Sequence, residues 1–186
     1  FLYASEEPAL ETAHKLPAAD WNFELNEPNV LVLDHADWSV AGEAGGKNEF
    51  FLKLDDKLRA LLDQPPRGGR MVQPWLSEQI PAKRTVPLEL TYHIRIKDIP
   101  EADCQLAVEH PEIYQFELNG KKLKAEVNGW WCDTIIQCIK VPAKLLKKGD
   151  NLLVLRSKYN ENLPGLESLF LLGSFGVSAD ESITVL

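Results

Sequence analysis

Ile113 to Arg156, IYQFELNGKKLKAEVNGWWCDTIIQCIKVPAKLLKKGDNLLVLR, is the stretch whose reading decides the fold. Tyr114, Phe116 and Leu118 alternate with Gln115 and Glu117, the period of a strand with one face in a core and one in water. Asn119-Gly120 follows, the dipeptide that best tolerates the positive dihedrals of a tight hairpin turn. A second Asn-Gly, Asn128-Gly129, precedes an aromatic-led run from Trp130 to Val141. Lys147-Lys148-Gly149-Asp150 then turns the chain into Asn151 to Arg156. Short strands punctuated by Gly and Asn turns predict a β-sandwich.

Working outward, Leu88, Leu90, Tyr92, Ile94 and Ile96 alternate with Glu89, Thr91, His93, Arg95 and Lys97, the cleanest half-buried strand pattern in the chain. Cys104, Leu106 and Val108 repeat it before His110-Pro111 interrupts. Asn29 to Leu33 is continuously apolar, which predicts a mid-sheet strand covered on both faces. The run Leu169 to Val177 is also apolar, and Gly173 and Gly176 within it predict a bulge or a close backbone approach. Glu49 to Asp63 places Phe51, Leu54, Leu58, Leu61 and Leu62 at helical spacing, and Pro65-Pro66 ends that helix. Upstream, WNFEL from Trp21 alternates, whereas residues 1–20 are acidic and alanine-rich and predict a tail or connector.

The "LNG" turn, the Gly-aromatic segment, the "LKKGDNLLVLR" turn and strand, and the closing LESLFLLGSFGV occur in an order that resembles a known family. It is the galactose-binding-like jelly-roll domain that accompanies the catalytic barrels of large bacterial glycoside hydrolases, including family 2 and the α-L-rhamnosidase-like family 106. The resemblance is clearest over 88–177 and looser before it. It implies a mainly β, jelly-roll sandwich with one flanking helix over 21–186. It also implies a non-catalytic module that binds carbohydrate or shapes the active-site rim of a parent enzyme, beside that enzyme's catalytic domain. The alternative is a structural interdomain module without sugar affinity.

Composition narrows the classes. The 186 residues suffice for one domain with a substantial core, and 45% hydrophobic with 26% charged residues is ordinary for a folded globular chain. A net charge of −8 disfavours nucleic acid and anionic membrane surfaces. Lys121, Lys122 and Lys124 form only a local basic spot without interleaved aromatics. No apolar run is long enough to span a bilayer. The first residues lack the pattern of a signal peptide and an initiator Met, so the expectation is a piece of a longer chain with its targeting signal elsewhere; that the protein is soluble and bacterial is what the resemblance implies.

Trp130 and Trp131 are adjacent, so in a strand they face opposite ways. With Cys132, Ile136 and Cys138 turned inward beside Trp130, Trp131 and Asp133 face outward together. Trp131 is then a candidate sugar-stacking ring, with Asp133, Asn119 and Tyr159 as polar partners; the competing reading packs the outward Trp against a loop or a neighbouring domain. Asp34, His35 and Asp37 form the densest titratable group, but in family 2 type enzymes the acid and nucleophile come from the barrel. A structural pairing with Arg67 or Arg70 is the expectation, and no catalytic residue is assigned.

His14, His35, His93 and His110 show no zinc spacing, and no oxygen-rich calcium loop appears, so neither a metal nor a cofactor is expected. Ser174 lies one residue short of a Gly-x-Ser-x-Gly elbow, in a run that reads as strand. Cys104, Cys132 and Cys138 are read as buried free thiols.

Overall fold

The computed structural model describes residues 24–66 and 81–185. The expected tail over 1–20 and the arginines Arg67 and Arg70 lie outside the described residues. Of WNFEL only Glu24 and Leu25 are described, and neither is in a strand.

The chain opens with β1 (Asn29–Leu33), β2 (His35–Val40), β3 (Glu43–Phe50) and the helix α1 (Phe51–Leu61). The middle holds β4 (Thr85–Ile96), β5 (Cys104–Glu109), β6 (Gln115–Leu118), β7 (Lys121–Leu123), β8 (Val127–Trp131) and β9 (Asp133–Val141). It closes with β10 (Gly149–Asn160), β11 (Leu169–Gly173), β12 (Gly176–Val177) and β13 (Ile183–Thr184). Two sheets result. Sheet A runs β1-β11-β5-β9-β8; sheet B has β12-β13-β4-β10-β6-β7, with β2 paired to β4 and β3 paired to β2. Pairing is antiparallel apart from the β13–β4 contact at Ile183 and Ile96. The chain is therefore a β-sandwich, and its middle strands cross repeatedly between the layers.

The core lies between the sheets. Every second residue of β4 from Val86 to Ile96 is buried, as the alternation predicts, and meets Leu106, Ile139 and Leu171 of sheet A in one apolar cluster. At the predicted hairpin turn, Asn119 and Gly120 take φ of 51° and 78°, the left-handed pair that a two-residue connection requires. Gly173 shows the predicted close approach. A Cβ there would lie 2.9 Å from the Phe175 ring and 3.0 Å from Cys104 Sγ.

Helix α1 occupies the predicted segment and buries Leu54, Leu58 and the following Leu62, while Leu61 is exposed. Its buried face also carries two charges. Asp55 is 0% exposed and Arg59 5%, one helical turn apart, with Arg59 Nε donating to Asp55 Oδ2 at 2.8 Å. Asp55 Oδ1 accepts the Leu166 N–H at 2.9 Å and the Tyr159 hydroxyl at 3.2 Å. One carboxylate thus ties the helix to β10 and to the loop before β11.

Three expectations are corrected. Asn29 to Leu33 is not mid-sheet: among the described residues β1 is an edge strand of sheet A, paired only with β11, and Val32 is exposed. Trp130 to Val141 is not one run, because Cys132, with φ of 60°, folds it back into the β8–β9 hairpin. Asn128-Gly129 sits inside β8 at a register shift instead of forming a turn.

Candidate functional site

The four residues assigned to carbohydrate on sequence do not converge. Asn119 Nδ2 donates to the Leu145 carbonyl at 2.9 Å and to Asn151 Oδ1 at 2.7 Å, while its Oδ1 accepts the Leu152 N–H at 3.1 Å. Asn151, fully buried, in turn closes the Lys147–Gly149 turn by donating to both of their carbonyls and accepting the Lys147 N–H. Asn119 is therefore half of a two-amide lock between neighbouring turns, with both its amide hydrogens spent and its oxygen engaged.

Tyr159 is 1% exposed, its hydroxyl is held by Asp55, and burial together with that carboxylate pushes its phenol well above the usual range. It presents no surface to a ligand. Asp133 Oδ1 accepts the Ile135 N–H at 3.0 Å and the Thr134 hydroxyl at 3.4 Å, starting β9 with an Asx-type turn. Only Trp131 and Asp133 are neighbours, as cross-strand partners in the hairpin.

That hairpin is the most unusual surface in the molecule. Trp131 lies 4.9 Å from Phe170 between ring centroids and joins a second apolar cluster, with Ala107, Cys138 and Leu172 at its centre and Val30 and Ile136 around them. These side chains occupy the outer face of sheet A, away from the core. Cys138 and Ile136 therefore face outward with Trp131, against the expectation that they turn inward beside Trp130. Trp130 pairs with Gln137, on the other side of the hairpin, and is 60% exposed. Val127 and Ile135 are exposed as well, so the hairpin carries three open apolar side chains. Cys132 at the tip is exposed, a correction to its reading as a buried thiol, whereas Cys104 and Cys138 are buried; all three are free.

The outer face of sheet B is the opposite in chemistry. Arg156 bridges Glu89 (Nε–Oε2 2.7 Å) and Glu117 (Nη1–Oε2 3.0 Å), and Arg95 faces Asp150. Charges paired across strands suit a solvated surface. Asp37 also lies here, with Oδ2 3.0 Å from His93 Nε2 and Oδ1 accepting the Asn48 N–H at 2.8 Å. Burial acts to raise its carboxyl, but those two bonds together with the charges of His93 and Lys47 hold the group below its ordinary value. Asp34 pairs with His35 at 2.7 Å. The two carboxylates of the Asp34-His35-Asp37 group are thus each engaged with a histidine. Among the described residues no group of three or more His, Cys, Asp or Glu side chains is placed to hold a metal. Ser174 lies in a bend between β11 and β12, not in a strand-to-helix turn.

Trp130 and the Asp55–Arg59 pair are the features that sequence reasoning missed. The pair had a signal in its i, i+4 spacing on a helix. Trp130 had none, because the fold-back at Cys132 occurs at a residue without turn propensity. No protein-family model matches the chain, and no curated protein matches it.

Proposed function

We propose that this chain is a non-catalytic β-sandwich module that docks another protein domain through the β8–β9 hairpin. The setting that fits the sequence resemblance is an accessory domain seated against the catalytic domain of a bacterial glycoside hydrolase. The observation carrying the docking role is Trp130, 60% exposed beside exposed Val127 and Ile135 on an edge hairpin. A Trp side chain buries about 150–250 Å² when covered. Covering the open part at about 25 cal/mol per Å² gives roughly 2–4 kcal/mol from this ring alone.

β1 supports the same reading. Its sequence is apolar on both faces, yet only Leu31 and Leu33 are buried while Val32 stands open. Sugar recognition at the hairpin has less support, since several polar side chains must surround a stacking ring and the cross-strand partner Gln137 is one amide beside exposed Val127 and Ile135.

The test is calorimetric titration of this chain with the separately produced catalytic domain of the polypeptide that encodes it. Association should weaken at least thirtyfold in Trp130→Ala and in Ile135→Lys, with unfolding midpoints unchanged. Undiminished association in both variants would refute docking at this surface. A sugar-induced change in tryptophan emission that disappears in Trp130→Ala would transfer the hairpin to the carbohydrate reading.

A further inference from the structure

The chain contains two Asn-Gly pairs, and the fold treats them in opposite ways. Asn119, in the β6–β7 turn, is held: its amide donates to the Leu145 carbonyl and to Asn151 Oδ1, and its oxygen accepts the Leu152 N–H. Asn128, in β8, is exposed, and its side chain has no hydrogen-bond partner among the described residues.

The backbone under Asn128 is irregular as well. Val127 pairs with Ile139 and Trp130 with Gln137, so Asn128 and Gly129 share the place opposite Cys138. Two residues facing one make a β-bulge, which leaves the extra residue without a regular ladder partner. Gly129 takes φ of 143°, and a Cβ there would meet nothing within 4 Å. β8 is the last strand of sheet A among the described residues, so no further strand of that sheet covers the bulge.

From this contrast we infer that Asn128 is a site of spontaneous covalent modification, reacting with the backbone of Gly129 and ending as aspartate or isoaspartate. The Gly129 nitrogen forms a bond to Asn128 Cγ, the Cγ–Nδ2 bond breaks, and ammonia leaves with the proton that the Gly129 nitrogen gives up. The product is a five-membered cyclic imide. Water then opens it at either carbonyl, giving aspartate, or isoaspartate with the main chain routed through Cβ. Glycine is the residue best suited to supply the attacking nitrogen, since it has no side chain to block the approach. The two groups must turn out of strand geometry to meet. An exposed bulge on an edge strand opens locally at small cost, whereas the bonds from Leu145, Asn151 and Leu152 must all be released before Asn119 can react.

Either product puts a carboxylate two residues before Trp130. Covering that charge with an apolar partner costs free energy, so the modified hairpin docks less well; this consequence alone rests on the docking reading.

The experiment is peptide mapping by mass spectrometry of the folded chain kept at physiological pH and temperature, beside a sample unfolded in guanidinium chloride. In the folded chain Asn128 should convert at least about tenfold faster than Asn119, the equivalent of one or two of the hydrogen bonds that hold Asn119. In the unfolded sample the two pairs should convert at comparable rates, because the same dipeptide is then free in both places. Isoaspartate should form at 128 and be lost in Asn128→Gln, with the rate at Asn119 unchanged. Equal conversion of the two pairs in the folded chain, or faster conversion of Asn119, would overturn the inference. So would an Asn128 that keeps its amide when folded and loses it only when unfolded. The consequence is read separately from Asn128→Asp, which should associate with the catalytic domain about five- to tenfold more weakly at an unchanged thermal midpoint. Undiminished association of Asn128→Asp would strike that consequence, and failure of the unmodified chain to associate would strike the docking reading; the mapping result decides the modification site in both cases.

Discussion

Replacing Asp55 by Ala should be among the most damaging single changes in the chain, and its size follows from what the carboxylate holds. The substitution strands the Arg59 guanidinium, itself 5% exposed, in an apolar setting. It also removes the acceptor for the Leu166 N–H and the Tyr159 hydroxyl. Removing one partner of a buried ion pair costs about 3–5 kcal/mol, against a total domain stability of about 5–15 kcal/mol. With a urea m-value of about 2 kcal/mol/M, the unfolding midpoint should fall by about 2 M.

Tyr159→Phe, which deletes only the hydroxyl, should cost about 1–2 kcal/mol. Asp55→Leu combined with Arg59→Leu should recover part of the Asp55→Ala loss, since an uncharged pair leaves no orphaned cation. The assay is urea unfolding followed by tryptophan emission and far-ultraviolet dichroism together. A midpoint shift below about 0.5 M for Asp55→Ala would refute the claim that this carboxylate joins α1 to β10 and the loop before β11.

Thiol chemistry and pH give two further expectations. Burial, aided by Asp103, pushes the Cys104 thiol up to about 11, and burial raises Cys138 as well, whereas Cys132 is exposed. A disulfide reagent should therefore titrate one thiol in the folded chain, three in denaturant, and none in folded Cys132→Ser. The carboxyls of Asp98, Asp103 and Asp180 are held below their ordinary values, chiefly by hydrogen bonds from Lys148, Lys140 and Ser178 respectively. Groups with lowered folded pKa contribute stability above their unfolded value of about 4 and lose it as pH falls through the folded value. The urea midpoint should thus be flat near neutrality and decline below about pH 4, less steeply at high salt. The raised Cys104 works at the other end: its contribution is complete below the unfolded thiol value of about 8.5 and is lost as pH climbs toward 11.

The local alphabet of the chain determined its elements. The period-two pattern of Leu88 to Ile96 encodes β4, Asn119-Gly120 the β6–β7 hairpin turn, and Leu54, Leu58 and Leu62 the buried side of α1 and its C-terminal end, because each signal acts over a few residues where backbone dihedrals and side-chain direction are set. Gly173 announced a close approach, though not that Phe175 and Cys104 would make it.

The tertiary structure alone decided the assignment of roles. Asn119 and Tyr159 look like ligand-binding residues until Asn151, 32 positions away, and Asp55, 104 positions away, claim their polar groups. Trp130 reads as core until Cys132 reverses the chain, and Val32 reads as doubly covered until β1 proves to be an edge. Whether a polar group is spent or free, and whether an apolar one is covered, depends on what the other layer delivers to it. That is a property of long-range pairing, and no short window of sequence contains it.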